Sequence, residues 1–103
     1  MSSIKVYVKV HEIGDNKIVA ICDAIILGTV LRDNEKNISF YVDPQFFKGE
    51  LMDLDDVENI LSSASSANLV GKAIVEFAVK KGYIHPEAIL IIDKTPLAMF
   101  TRV

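Results

Sequence analysis

The sequence predicts an α+β fold. One domain spans residues 1–103, with a mostly antiparallel sheet of about five strands and two central helices packed on one face. Three observations carry this expectation. Ile4, Val6, Val8 and Val10 alternate with Lys5, Tyr7 and Lys9, the period of two that marks a half-buried strand. Leu69, Val70, Ala73, Ile74, Phe77 and Ala78 recur with the period of a helix. The 103 residues are 50 % hydrophobic with a mean hydropathy of +0.32, enough for one core and too apolar for a disordered chain.

The elements follow in order. Residues 4–11 form the first strand. Gly14-Asp15-Asn16 supplies turn chemistry, and residues 17–22 return as the second strand of a hairpin with a loop of roughly five residues. Asp23 to Gly28 reads as a turn or a short helical piece ended by glycine. Arg32 to Asn37 is a polar excursion. Ile38, Phe40 and Val42 alternate with Ser39 and Tyr41 as a third strand, stopped by Asp43-Pro44.

Asp53 is a suitable N-cap for a helix carrying Asp55 and Asp56 in its first turn and Val57, Ile60, Leu61 and Ala64 on one face. The serines at 62, 63, 65 and 66 break it, and Ser65 or Ser66 is placed to cap the next helix. That second helix is predicted over residues 67–81, with Lys80 and Lys81 in its last turn and Gly82 as its stop. Ala88 to Ile92 is apolar on both faces and reads as a central strand. Asp93 to Pro96 is a turn, and Leu97 to Val103 makes the last strand. Val70, Ile74, Phe77, Ile89 and Ile91 are expected in the core.

Net charge is −3, unlike the basic balance common in nucleic-acid binders. The charge is unevenly spread. Glu50, Asp53, Asp55, Asp56 and Glu58 share a stretch without lysine or arginine, whereas the chain turns basic from Lys72 onward, so a basic surface remains compatible with the acidic total. No run of about 18 apolar residues predicts a membrane span or a leader. The single cysteine fits a reducing, cytoplasmic setting.

Reaction chemistry finds little support. Cys22 stands beside an acid, Asp23, which opposes thiolate formation; the plainer reading is a small buried residue. His11 and His85 belong to no HxH, HExxH or Cys/His cluster. The acidic run lacks the calcium-loop pattern and reads as a solvated helix start. Gly28, Gly49 and Gly71 form no phosphate loop. Gly71, placed inside a helix, costs about 1 kcal/mol relative to alanine and needs a close packing contact or an approaching ligand to offset it. No catalytic residue, cofactor or metal ligand is therefore expected.

The outward face of the first strand carries Lys5, Tyr7 and Lys9, with Tyr41 and Ser39 beside them if the third strand joins the same sheet. Lysines for phosphates and rings for bases are how many sheets hold single-stranded RNA. A half-solvated sheet with tyrosine and edge lysines is the plainer reading. Phe46-Phe47 reads as core.

Several segments together resemble the archaeal domain-of-unknown-function family 424. They are Tyr7-Val8-Lys9-Val10-His11, Cys22-Asp23, Leu27-Gly28, Phe47-Lys48-Gly49-Glu50, Ala67-Asn68-Leu69-Val70-Gly71, and Pro96 with Ala98. The final turn departs from the family's pattern, holding Thr95 and Leu97 where a glycine and a histidine are expected. The resemblance implies a small α+β domain without an assigned catalytic activity, and marks Cys22, Asp23, Gly28, Gly49, Glu50, Asn68 and Gly71 as motif positions.

The expected function is a non-enzymatic accessory binding protein, with RNA, the ribosome or another information-processing complex as partner. The alternative is an oligomeric assembly protein without nucleic-acid contact, in which Ile89 to Ile92 and Leu97 to Phe100 cover a homodimer interface. A small enzyme using Cys22 with Asp23, or Asn68 near Gly71, comes third, because no nucleophile, base and orienting group assemble.

Overall fold

The alternating residues at the start form β1 (Lys5–Ile13), which turns at Gly14 and Asp15 into β2 (Asn16–Asp23). The turn takes two residues rather than about five, because Ile13 pairs directly with Asn16 and Gly14 adopts φ +61°. The computed structural model describes residues 4–102. After a 3-10 turn at Ala24–Ile26 come β3 (Val30–Asp33), β4 (Ile38–Tyr41), α1 (Pro44–Phe47) and β5 (Glu50–Asp53). A second 3-10 turn, Leu54–Val57, leads into α2 (Glu58–Ser63), then β6 (Ser66–Val70), α3 (Lys72–Lys80), β7 (Leu90–Ile92) and β8 (Thr95–Thr101). Val103, the predicted end of the last strand, lies outside the described residues.

The main sheet has six strands in the order β5-β1-β2-β6-β8-β7, not about five, and β3 with β4 forms a separate two-stranded sheet. Every pair in the main sheet is antiparallel except β2 with β6, so the sheet is mixed. A parallel pair needs a long crossover, and residues 24–65 supply it.

The largest correction concerns residues 67–81. Leu69 and Val70 fit the helical stripe, but they belong to β6, a central strand buried on both faces, and the helix proper begins at Lys72. A buried strand is apolar at every position, so it mimics the first turn of a helix that follows it without a loop. Ser66 starts β6, and Ser65 accepts the Lys17 amide through its Oγ, so neither caps a helix. Asp53 does not cap either; its carboxylate receives Lys5 instead. Ala88 to Ile92 is not a central strand: β7 is a three-residue edge, and Ile91 is 45 % exposed. Val70 and Ile74 are buried as expected, while Phe77 and Ile89 are half-buried against the core.

Two apolar layers flank the sheet. On one face Val6, Val8, Val19, Ile21 and Leu69 meet Val57, Leu61, Ile74, Val75 and Ala78, so α2 and α3 share a face. On the other, Ala20, Cys22 and Val70 meet Leu31, Val42 and Phe47 from the β3–β4 hairpin and α1. Each buried Val, Leu, Ile or Phe among them contributes about 1.5–3 kcal/mol by leaving water. The hairpin covers only part of its face.

Candidate docking site

Two of the motif positions, Asp23 and Gly71, meet at the start of α3. Asp23 ends β2 on the helix side of the sheet, and its carboxylate accepts the amides of Ala73 at 2.9 Å and Ile74 at 3.0 Å. These are donors that the first turn of a helix otherwise leaves unpaired. Gly71 precedes the helix at φ +123° and ψ 152°, a region open essentially to glycine. Its bare Cα lets the carboxylate approach; a Cβ there would lie 2.4 Å from the Asp23 carboxyl carbon. Gly71 is thus not inside a helix but at its boundary, and the cost assigned to it is offset by Asp23. Burial raises the Asp23 carboxyl pKa; the two amides oppose the rise, and the charge of Glu76 adds to it.

Cys22 is fully buried, and burial, then the Asp23 charge, pushes its thiol up to about 12. Such a group supplies no thiolate near neutral pH. Gly49 allows the chain entering β5 to press on β1, since a Cβ there would fall 2.1 Å from the Val8 carbonyl oxygen. Glu50 is exposed at the start of β5, opposite Val8. Gly28 closes the loop after β2 with φ +83° and donates to the Val42 carbonyl at 2.8 Å.

The two lysines of the face with Lys5, Tyr7 and Lys9 have partners within the protein. Lys5 Nζ lies 2.5 Å from Asp53 Oδ1, and Lys9 Nζ donates to the Gln45 carbonyl at 2.6 Å. Tyr7 is half-buried against the second apolar layer. Tyr41 and Ser39 lie on β4, which pairs with β3 and not with the main sheet, so they do not extend that face. His11 stacks on Phe46 with ring centroids 4.8 Å apart, and its Nε2 is 3.0 Å from the Phe46 carbonyl oxygen. Phe47 is buried and Phe46 half-buried. His85 Nδ1 accepts the Glu87 amide. Among the described residues no three His, Cys, Asp or Glu side chains converge as metal ligands.

What the hairpin leaves open is a cleft of about 280 Å³. Phe40 forms one wall, Asn68 and Leu97 lie on the sheet floor, and Leu90 and Met99 stand at the outer rim. No ionisable side chain lines it. Asn68 and Met99 are opposite each other on β6 and β8, and Met99 is 65 % exposed in the middle of its strand. The apolar runs 89–92 and 97–100 signal part of this surface in the sequence. Phe40, brought by the separate hairpin, is not legible there.

A mixed α/β domain with an open apolar cleft and a carboxylate-capped central helix is the class these features define. The chain belongs to the family described as "Protein of unknown function (DUF424)", whose pattern it matches over residues 11–103. It is similar in fold to the crystal structure of an uncharacterized conserved protein from Methanopyrus kandleri, with a TM-score of 0.77, 21 % identity, and coverage of 93 % of this chain and 90 % of that one. No curated protein matches the chain. No helix among the described residues is long and apolar enough to cross a membrane.

Proposed function

We propose that this chain is a non-enzymatic binding module that docks a protein partner through the cleft between Phe40 and Met99. The exposure of Met99 beside Leu90, on an apolar cleft without a charged lining, is the observation that supports the reading. A phosphodiester chain finds no cation in that cleft, and Lys5 and Lys9 are already engaged elsewhere. The RNA and ribosome reading therefore has less support than a protein partner. The burial of Cys22 and the capping role of Asp23 weigh against the enzymatic reading.

Affinity capture from extract of the native host tests this, with the wild type and Met99→Lys as baits, each with and without ribonuclease. Because Met99 is mostly in solvent, the variant folds. A protein retained by the wild type, lost with Met99→Lys and indifferent to ribonuclease supports the reading. Retention that ribonuclease abolishes, or that both baits share equally, overturns it.

A further inference from the structure

The cleft borders a stretch of sheet edge whose main chain is unpaired. β7 covers β8 only from Thr95 to Leu97. The Gly71 amide donates to the Pro96 carbonyl and the Arg102 amide donates to Ser65, so even-numbered residues of β8 address β6. In an antiparallel ladder the alternate residues point the other way. Leu97 is met by Leu90, but Met99 and Thr101 lie beyond the end of β7, and no main-chain group among the described residues pairs with their outward N–H and C=O.

The two outermost strands of the main sheet, β7 and β5, are guarded. Lys36 Nζ holds the outward Ile91 carbonyl of β7 at 2.9 Å, and β5 carries Glu50 and Asp53. β8 has no charged side chain between Thr95 and Thr101, and charge is a usual safeguard of an edge strand. Unpaired donors and acceptors in a row call for an extended backbone. The uncharged cleft beside them calls for an apolar side chain on that backbone.

We infer that the occupant is an uncharged, extended segment of a partner protein, which adds as a strand to the outer edge of β8 at Met99 and Thr101 and seats an apolar side chain against Leu90, Leu97 and Met99. This rests on the cleft reading above and adds the mode of recognition, strand addition.

Random heptapeptides displayed on phage and panned against the intact chain supply the probe. The best peptide is synthesised, and its affinity is measured by fluorescence anisotropy against the wild type, Met99→Lys and Thr101→Pro. Proline at 101 removes the outward N–H and fixes φ there, but it leaves the hydrogen bonds to β6 in place, since those run through the even residues. Enriched peptides with alternating apolar residues, weakened at least about tenfold by each substitution, are expected. Peptide-induced slowing of hydrogen exchange at the Met99 and Thr101 amides of the wild type is the readout independent of either variant. Affinity lost in Met99→Lys but kept in Thr101→Pro, with unchanged exchange, leaves the cleft standing and overturns strand addition. Affinity unmoved by both overturns both. A wild-type dimer in sedimentation that Thr101→Pro dissociates assigns the edge to a second copy and overturns the partner segment.

Discussion

The Asp23 carboxylate and the bare Cα of Gly71 occupy adjoining space that a methyl group on residue 71 would fill, 2.4 Å from the carboxyl carbon. The contact joins the end of β2 to the start of α3, elements 48 residues apart by number (71 − 23). It explains two motif segments with one geometry: Asp23 supplies the cap, and Gly71 makes room for it.

Gly71→Ala is expected to destabilise the fold by about 3 kcal/mol or more, because the backbone at φ +123° is strained for alanine and the new methyl meets the carboxylate. Adding Asp23→Ala removes the collision. The double variant should therefore cost less than the sum of the singles by about 1 kcal/mol or more in urea unfolding. Strict additivity would contradict the contact.

Asp23→Asn reports on pH. Burial raises the Asp23 pKa above its ordinary 3.8, with Glu76 adding to the rise and the Ala73 and Ile74 amides opposing it. The folded chain then holds the proton to higher pH than the unfolded chain. The contribution of Asp23 to stability is greatest below 3.8 and declines as pH rises through the window up to the raised value. The stability of the wild type minus that of Asp23→Asn, measured by denaturant unfolding from about pH 4 to pH 7, should fall with pH. A difference that grows with pH would contradict this.

Much of the local structure was legible from residue order. The alternation from Ile4 to Val10, the glycine stops at 28 and 82 and the break at Asp43-Pro44 each express a backbone preference of the residues themselves. Asp43 accepts the Gln45 amide at 2.9 Å with Pro44 in the first turn of α1, so the same two residues that end a strand begin a helix. Long-range placement was less legible. Leu69 and Val70 satisfy a helical stripe and a buried strand equally, and only the pairing of β6 with β2 and β8 decides between them. Lys5 and Lys9 read as free cations because their partners, Asp53 and Gln45, come from distant positions. Tyr41 depended on which sheet its strand joined. Leu90 and Met99 stood out as apolar, but that one lies on an edge and the other beyond its end follows from topology alone.

Cys22 should be inert in the native chain. With its pKa pushed from 9.0 to about 12, the thiolate population falls about a thousandfold, and burial blocks access as well. Iodoacetamide at pH 8 is expected to label Cys22 only after denaturant is added, followed by intact-mass measurement. Labelling of the native chain at the rate of a free thiol would contradict the packing around Cys22.

Gly49→Ala should loosen β5 from β1. The added carbon would lie 2.1 Å from the Val8 carbonyl oxygen and 2.9 Å from Lys9 Cα, and backbone cannot yield as a flexible side chain does. A loss of about 2–4 kcal/mol is expected, with hydrogen exchange accelerated in β5 before the rest of the sheet. A neutral substitution would contradict the close approach.

Calorimetric titration of the captured partner into the wild type and Met99→Lys, across temperature and salt, addresses the docking claim most directly. Apolar burial in the cleft predicts a negative heat-capacity change, an affinity nearly flat in salt, and loss of binding with Met99→Lys. Affinity that falls steeply with salt and survives Met99→Lys would place recognition on a charged surface and contradict the account.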